Sequence, residues 1–234
     1  MASRRDGEKL ILSGKIAVDG QVVRLLGTKV DPAKNQVSLN GKPVQAKAKR
    51  FVALNKPPKI ICTRRDTYDR ATVFDLLPSD WGHLYTIGRL DADSEGLILL
   101  TNDGDFCQKV AHPRHGMLKT YRVSLAKRVK TEALKTLTNG LRDDGEWLQA
   151  KSAKLLAANN TRSEVELVLA EGKNREIRRM FKALGQRVLR LQRIAVGPVK
   201  LGELPRGKWR VLSQAEIASC LRFCGKAQES HRRN

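Results

Sequence analysis

The sequence predicts an α+β protein of two domains, and three observations carry that prediction. Strand-like apolar runs occur both in direct succession and separated by helical stretches, which a regular parallel βαβ array would not produce. Their character changes near residue 50, from short hairpins before it to longer elements after it. A chain of 234 residues is also long enough to give a small and a medium domain a core each.

Residues 3–14 are predicted as a helix, with Ser3 as N-cap, Leu10 and Ile11 as apolar contacts and Gly14 suited to a left-handed C-terminal cap. Two hairpins follow. Ile16 and Val18 lead through Asp19-Gly20 to Val22 and Val23, and Val37 and Leu39 lead through Asn40-Gly41 to Val44; both dipeptides favour tight turns. The basic stretch Gln45 to Arg50 reads as a linker, so a small domain is expected over 1–46. In the second domain, expected over 51–223, strands are predicted at 51–54, 84–87, 97–100, 120–125 and 164–170. Helices are predicted at 131–139, at 175–184 before Gly185, and at 214–223, the last opened by Ser213 and Glu216 as a capping box. Residues 224–234 are polar and basic and are expected to be a disordered tail.

Charge narrows the partners. Lysine and arginine number 45 against 24 acids, a formal net charge of +21, which creates a field that attracts polyanions, nucleic acid above all. The excess sits at the ends: residues 1–50 hold 11 basic against 4 acidic residues, 51–170 hold 18 against 15, and 171–234 hold 16 against 5. No apolar run reaches the ~18 residues of a membrane span, and Met1-Ala2-Ser3-Arg4-Arg5 lacks the apolar stretch of a secretory signal, so a cytoplasmic protein with no membrane partner is expected. Cys62, Cys107, Cys220 and Cys224 form no CxxC pair and read as reduced, structural thiols. His112 and His115 have no Cys or carboxylate beside them in ligand spacing, so no metal site is expected.

Two segments could carry chemistry. Gly88 to Gly96 (GRLDADSEG) places three carboxylates, Asp91, Asp93 and Glu95, between two predicted strands, where a rigid scaffold can hold catalytic groups at the edge of a cleft. The pattern alone also suits a solvated turn, whereas a twelve-residue calcium loop fails on ligand spacing. In Glu171 to Phe181 (EGKNREIRRMF), Ile177, Met180, Phe181 and Leu184 form one apolar stripe. Arg178 lies about 100° from Ile177 and borders that stripe, so it can look into a cleft; Arg179, about 200° away, should face solvent or phosphate.

Six segments in order carry a family resemblance: LNKPPKIICT at 54–63, TVFDLLP at 72–78, GRLDADSEGLILLTNDG at 88–104, KTYRV at 119–123, EGKNREIRRMF at 171–181 and VGPVKLGELPRGKWRVL at 196–212. Together they resemble the motif set of the RsuA/RluB/RluE/RluF family of bacterial ribosomal RNA pseudouridine synthases, over residues 3–217. Residues 3–44 resemble the small RNA-binding domain that this family shares with a ribosomal protein. The resemblance implies a mixed, largely antiparallel sheet around a central cleft. It places the catalytic aspartate on Asp91 and not Asp93, the active-site tyrosine on Tyr121 and the basic partner of the aspartate on Arg178. Arg89 would occupy the space left by a base extruded from its stack. Lys119, Lys173, Arg175 and Arg179, with Arg4 and Arg5 of the small domain, are expected to contact RNA.

The implied reaction breaks a C–N glycosidic bond, turns the uracil over and forms a C–C bond to the same sugar carbon. No cofactor is required. Asp91 would start it at the sugar, by attack or by deprotonation, Arg178 would keep that carboxylate ionised, and Tyr121 would stack on the base and help remove the C5 proton. The expected partner is ribosomal RNA or a ribosomal-subunit precursor, bound by a monomer. CTRRD at 62–66 with TVFDLLP favours large-subunit 23S RNA; small-subunit 16S RNA is the alternative target, and a non-catalytic ribosome-associated RNA-binding factor is the alternative class. Two departures accompany the resemblance. The family usually carries glycine where this chain has Lys59, and it usually has another helix before the ASRR element with which this chain begins.

Overall fold

A computed structural model of the chain describes residues 4–45, 47–64 and 66–231, with side chains from Arg5 as far as Cys224, and divides them into two compact units between Lys49 and Arg50. Ser3, the expected N-cap, lies outside the described residues. In the first unit α1 (Arg4–Leu12) is followed by β1 (Ile16–Val18), β2 (Gln21–Val22), β3 (Val37–Leu39) and β4 (Lys42–Pro43), in sheet order β2-β1-β3-β4. Both turns form as their dipeptides dictate: Asp19 and Gly20 have φ of +50° and +82°, and Asn40 and Gly41 have +48° and +77°, the pair of positive values that twists a two-residue hairpin correctly.

The second unit contains β5 (Phe51–Lys56), β6 (Tyr85–Ile87), β7 (Glu95–Thr101), α2 (Gly104–Ala111), β8 (Lys119–Leu125), α3 (Thr131–Asn139), β9 (Leu141–Asp143), β10 (Glu146–Leu148), β11 (Ser152–Ala158), β12 (Ser163–Leu169), α4 (Glu176–Ala183), β13 (Val188–Val196), β14 (Val199–Lys200), β15 (Trp209–Val211) and α5 (Gln214–His231). Its nine-stranded sheet runs β11-β12-β8-β13-β7-β5-β15, with β14 on β13 and β6 on β7. Among the described strand pairs only β7 and β13 run parallel. The mixed, largely antiparallel α+β architecture expected from the sequence is therefore present.

β7 is buried along its whole length because both faces of the sheet are covered. Ile98 and Leu100 enter one core with Val123, Leu167, Ile177, Met180 and Phe181, while Leu97 and Leu99 enter the other with Phe106, Val110 and Cys220. Gly96 permits the parallel pairing: its φ is +102°, and a Cβ there would collide with the backbone of Arg193.

Several elements lie outside those expected from the sequence, among them the strands β9, β10, β11, β14 and β15. α2 was not predicted, although Asp103 caps it by accepting from Phe106 N–H at 3.0 Å. β13 was not predicted either, because Arg190, Gln192 and Arg193 interrupt its apolar run; Arg190 pairs with Glu95, and Arg193 Nε donates to the Leu97 carbonyl at 2.7 Å. Lastly, α5 does not stop at 223. It continues to His231, over a stretch whose sequence holds no proline. Among the described residues no helix is long and apolar enough to cross a membrane.

Candidate active site

The loop between β6 and β7 is held from beneath by a buried lysine. Lys56, the last residue of β5, has no exposed surface, and its Nζ donates to the carbonyls of Ser94 at 2.7 Å, Pro57 at 2.9 Å and Ala92 at 3.5 Å. All three of its donors are used on backbone oxygens. Burial pushes this ammonium below the usual lysine range, partly opposed by Cys62, Asp93 and Asp91. Lys59 N–H adds a bond of 2.6 Å to the Ala92 carbonyl, Leu90 is buried with its N–H on Cys62 Sγ at 3.5 Å, and Ser94 N–H closes a turn on the Asp91 carbonyl at 3.1 Å. Asp91 is thereby presented outward from a fixed backbone.

Asp91 opens on two cavities. One, of ≈350 Å³, is lined by Arg89, Asp91, Tyr121, Lys173, Arg175 and Ile177 among others; the second, of ≈380 Å³, is formed with the 61–70 loop and includes Cys62, Arg70 and Arg89. Each is large enough for a nucleoside-sized ligand. Tyr121, on β8, is almost completely buried, so its ring is fixed where it meets the first cavity.

The arginines are arranged differently from the expected pattern. Arg178 does border the apolar stripe of α4, whose Ile177, Met180 and Phe181 are buried, but its Nη2 reaches Asp93, at 3.1 Å from both the carbonyl and the carboxylate. The cation beside Asp91 is Arg175, Nη1 to Oδ2 3.9 Å, which also lies 3.5 Å from Asp93. The reason is local: Arg175 adopts φ +46° at the N-terminus of α4, which turns its side chain toward the loop one turn earlier than Arg178. Arg179 is not available to phosphate either. It is engaged by Asp143 and Glu146 of the β9–β10 hairpin, whose hydrogen bonds raise its pKa further.

Of the other residues expected at the site, Arg89, Lys173 and Arg175 line the first cavity with Asp91 and Tyr121, and Lys173 Nζ also bonds the Trp147 carbonyl at 2.5 Å and lies 3.2 Å from Glu171. Lys119 lines an adjacent cavity and donates to the Met117 carbonyl at 3.2 Å; burial, then Arg193, lowers its pKa. Arg4 and Arg5 lie on α1 in the first unit. Sequence reasoning missed Lys56, whose signal was a lysine ending the apolar strand FVALNK. Glu95, the third carboxylate of that segment, is buried and paired with Arg190 and with Arg206 at 2.9 Å, partners that its sequence position does not indicate.

A family model described as RNA pseudouridylate synthase matches residues 50–183. Among curated proteins, the chain is 38% identical over 220 residues to the ribosomal large subunit pseudouridine synthase B of Bacillus subtilis, covering 93% of this chain and 89% of that one. It is 36% identical over 220 residues to the ribosomal small subunit pseudouridine synthase A of Vibrio parahaemolyticus, covering 93% and 94%. A crystal structure of a pseudouridylate synthase superposes with a TM-score of 0.68 at 29% identity, covering 93% of this chain and 94% of that one.

Proposed function

The chain belongs to the RNA pseudouridylate synthase family, and we propose that it isomerises a specific uridine of large-subunit 23S ribosomal RNA with Asp91 as its catalytic carboxylate. The observation that carries this reading is the placement of Asp91: outward on a braced loop, at the mouth of a cleft whose wall is Tyr121. The extruded uridine enters that cleft with its uracil against the Tyr121 ring. Asp91 attacks C1′ or removes a proton from C2′, and either step releases uracil from the sugar. The base turns over and C5 bonds to C1′, either as the C1′–O bond to Asp91 breaks or as Asp91 returns the proton to C2′; the C5 proton then leaves to an acceptor beside it and N1 takes up a proton. Atoms and electrons are conserved throughout, so the stoichiometry calls for no cofactor.

Arg175 supplies positive charge next to Asp91, and Arg178 acts through Asp93 as a positioning residue. Arg89 borders both cavities and is placed to fill the gap left in the RNA stack. The preference for the large subunit rests on the CTRRD and TVFDLLP segments, because relatives named for each subunit are similarly close. The enzyme works in the cytoplasm as a monomer on ribosomal RNA or a subunit precursor. Carbodiimide-primed reverse transcription of ribosomal RNA from cells with and without the gene tests the reading. One stop in 23S RNA should vanish with the gene; a vanished stop in 16S RNA would move the target to the small subunit, and no change in either would refute the proposal.

A further inference from the structure

The hairpin of β9 and β10 is a two-stranded sheet of its own, set apart from the nine-stranded one and held by two cations of the neighbouring helix and loop. Arg179 of α4 lies 2.5 Å from Asp143 and 2.5 Å from Glu146, and Lys173, which lines the first cavity, donates to the Trp147 carbonyl at 2.5 Å. Asp144 and Gly145 close the hairpin with φ of +49° and +76°, a tight turn that fixes its register. In that register Glu146 stands opposite Asp143, and Trp147 stands opposite Arg142. Side chains alternate along a strand, so the acid pair projects to one face, where Arg179 neutralises it, and the indole and guanidinium share the other. Arg142 is exposed and has no acidic partner among the described residues. The tryptophans differ sharply. Trp81 and Trp209 pack on each other with ring centroids 4.5 Å apart, whereas Trp147 is 50% exposed. Its ring is still held in place, because Nε1, Cε2 and Cζ2 rest so close to the Gly140 backbone that a Cβ there would meet them at 2.4–2.8 Å.

We propose that the face formed by Trp147 and Arg142 is a stacking platform for an unpaired base of the RNA, next to the cleft but outside it. The inference rests on the reading of the chain as an enzyme that acts on RNA. An exposed indole offers a base a flat apolar surface, and a guanidinium beside it offers charge to the adjoining phosphate. The chain around the indole argues for a base over a protein partner: Asp144, Gly145, Glu146 and Gln149 are exposed and carry no apolar side chain, so Trp147 is a single aromatic and not part of an apolar patch. Packing against Gly140 orders the ring before the RNA arrives, which lowers the entropy lost on binding. The bond from Lys173 to the Trp147 carbonyl sets the platform one residue from the cleft wall.

Fluorescence titration of the full-length protein with octaadenylate, and with an abasic octamer of the same charge, tests this. Octaadenylate should quench the indole emission and bind at least about fivefold more tightly than the abasic octamer, the lower end of what stacking one base supplies. Trp147→Ala should lose the quenching and that advantage, and Trp147→Phe should keep part of the advantage. In filter binding with ribosomal RNA from cells that lack the gene, Trp147→Ala should raise the Kd at least about fivefold. A wild-type protein that binds both octamers equally and without quenching would overturn the platform and leave the indole to a protein partner, and that comparison needs no variant. Unchanged affinity of a folded Trp147→Ala for octaadenylate and ribosomal RNA would overturn it as well. Failure of the platform leaves the gene-dependent stop in the pseudouridine map in place, whereas failure of the functional reading means that no stop depends on the gene.

Discussion

Asp91 and Asp93 stand two residues apart in one loop, yet their surroundings assign them different work. Asp93 is gripped by Arg178 at 3.1 Å and Arg175 at 3.5 Å, while Asp91 has Arg175 at 3.9 Å and faces two cavities. Asp91→Asn should lower single-turnover pseudouridine formation by at least ~10³-fold with RNA affinity little changed, because only the reactive carboxylate is removed. Asp93→Asn should cost about tenfold and also lower the melting temperature, because it releases Arg178 and loosens the loop. Tritium release from 5-labelled uridine in RNA measures both, and the reverse ranking would move the chemistry to Asp93. A second residue-scale prediction concerns Lys59. Its φ of +68° lies in the left-handed region that glycine adopts without strain. A left-handed non-glycine residue costs ~1–2 kcal/mol, part of which glycine returns as unfolded-state entropy, so Lys59→Gly should stabilise by about 0.5 kcal/mol in urea unfolding. A lower urea midpoint would show instead that the lysine side chain itself contributes.

Among the elements, α5 was the most legible at its start. Glu216 N–H donates to Ser213 Oγ at 3.2 Å and Ser213 N–H to Glu216 Oε2 at 2.9 Å, the reciprocal box that the spacing of serine and glutamate predicts. Arg210, which spacing could not reveal as a partner, lies 2.7 Å away across the sheet edge and is the main reason that Glu216 sits below the usual carboxylate range. A depressed carboxylate stabilises the fold above its unfolded value of 4.5 and loses that contribution as pH falls through the lower folded value. Glu216→Gln should therefore cost about 1 kcal/mol at neutral pH, with the difference from the parent closing on acidification below 4.5. Urea titrations across that window check it; a pH-independent difference would mean that the ionised form contributes nothing. β13 was illegible for the opposite reason. Its arginines interrupt the apolar run, and their partners, Glu95 and the Leu97 carbonyl, lie about a hundred residues earlier in the chain.

Across the whole molecule, binding and chemistry should separate. The second unit has two cores of its own and contains Asp91, Tyr121, Arg175 and Arg178, while the first carries a clear excess of lysine and arginine over acids. Removing residues 1–49 should weaken ribosomal RNA binding and flatten its salt dependence, by roughly 0.7–0.9 log unit of slope for each phosphate that the shortened protein no longer neutralises. Saturating RNA should then restore much of the single-turnover rate. Filter binding at several salt concentrations, with circular dichroism as a control for folding, decides it. Unchanged affinity and slope would place the RNA footprint on the second unit alone.

By itself the sequence determined the fold class, the hairpin turns of the first unit, the apolar stripe of α4 and the resemblance that singled out Asp91, because each depends on residues close together in the chain or on an ordered set of motifs. Only the tertiary structure decided that Lys56 braces the loop, that Arg175 and not Arg178 stands beside Asp91, that Arg179 is occupied by the β9–β10 hairpin, and that Trp147 is left half exposed on that hairpin. Helical periodicity specifies the face on which a side chain emerges. Which carboxylate or carbonyl meets it there depends on how strands distant in sequence pair, and that is settled only when the sheet closes.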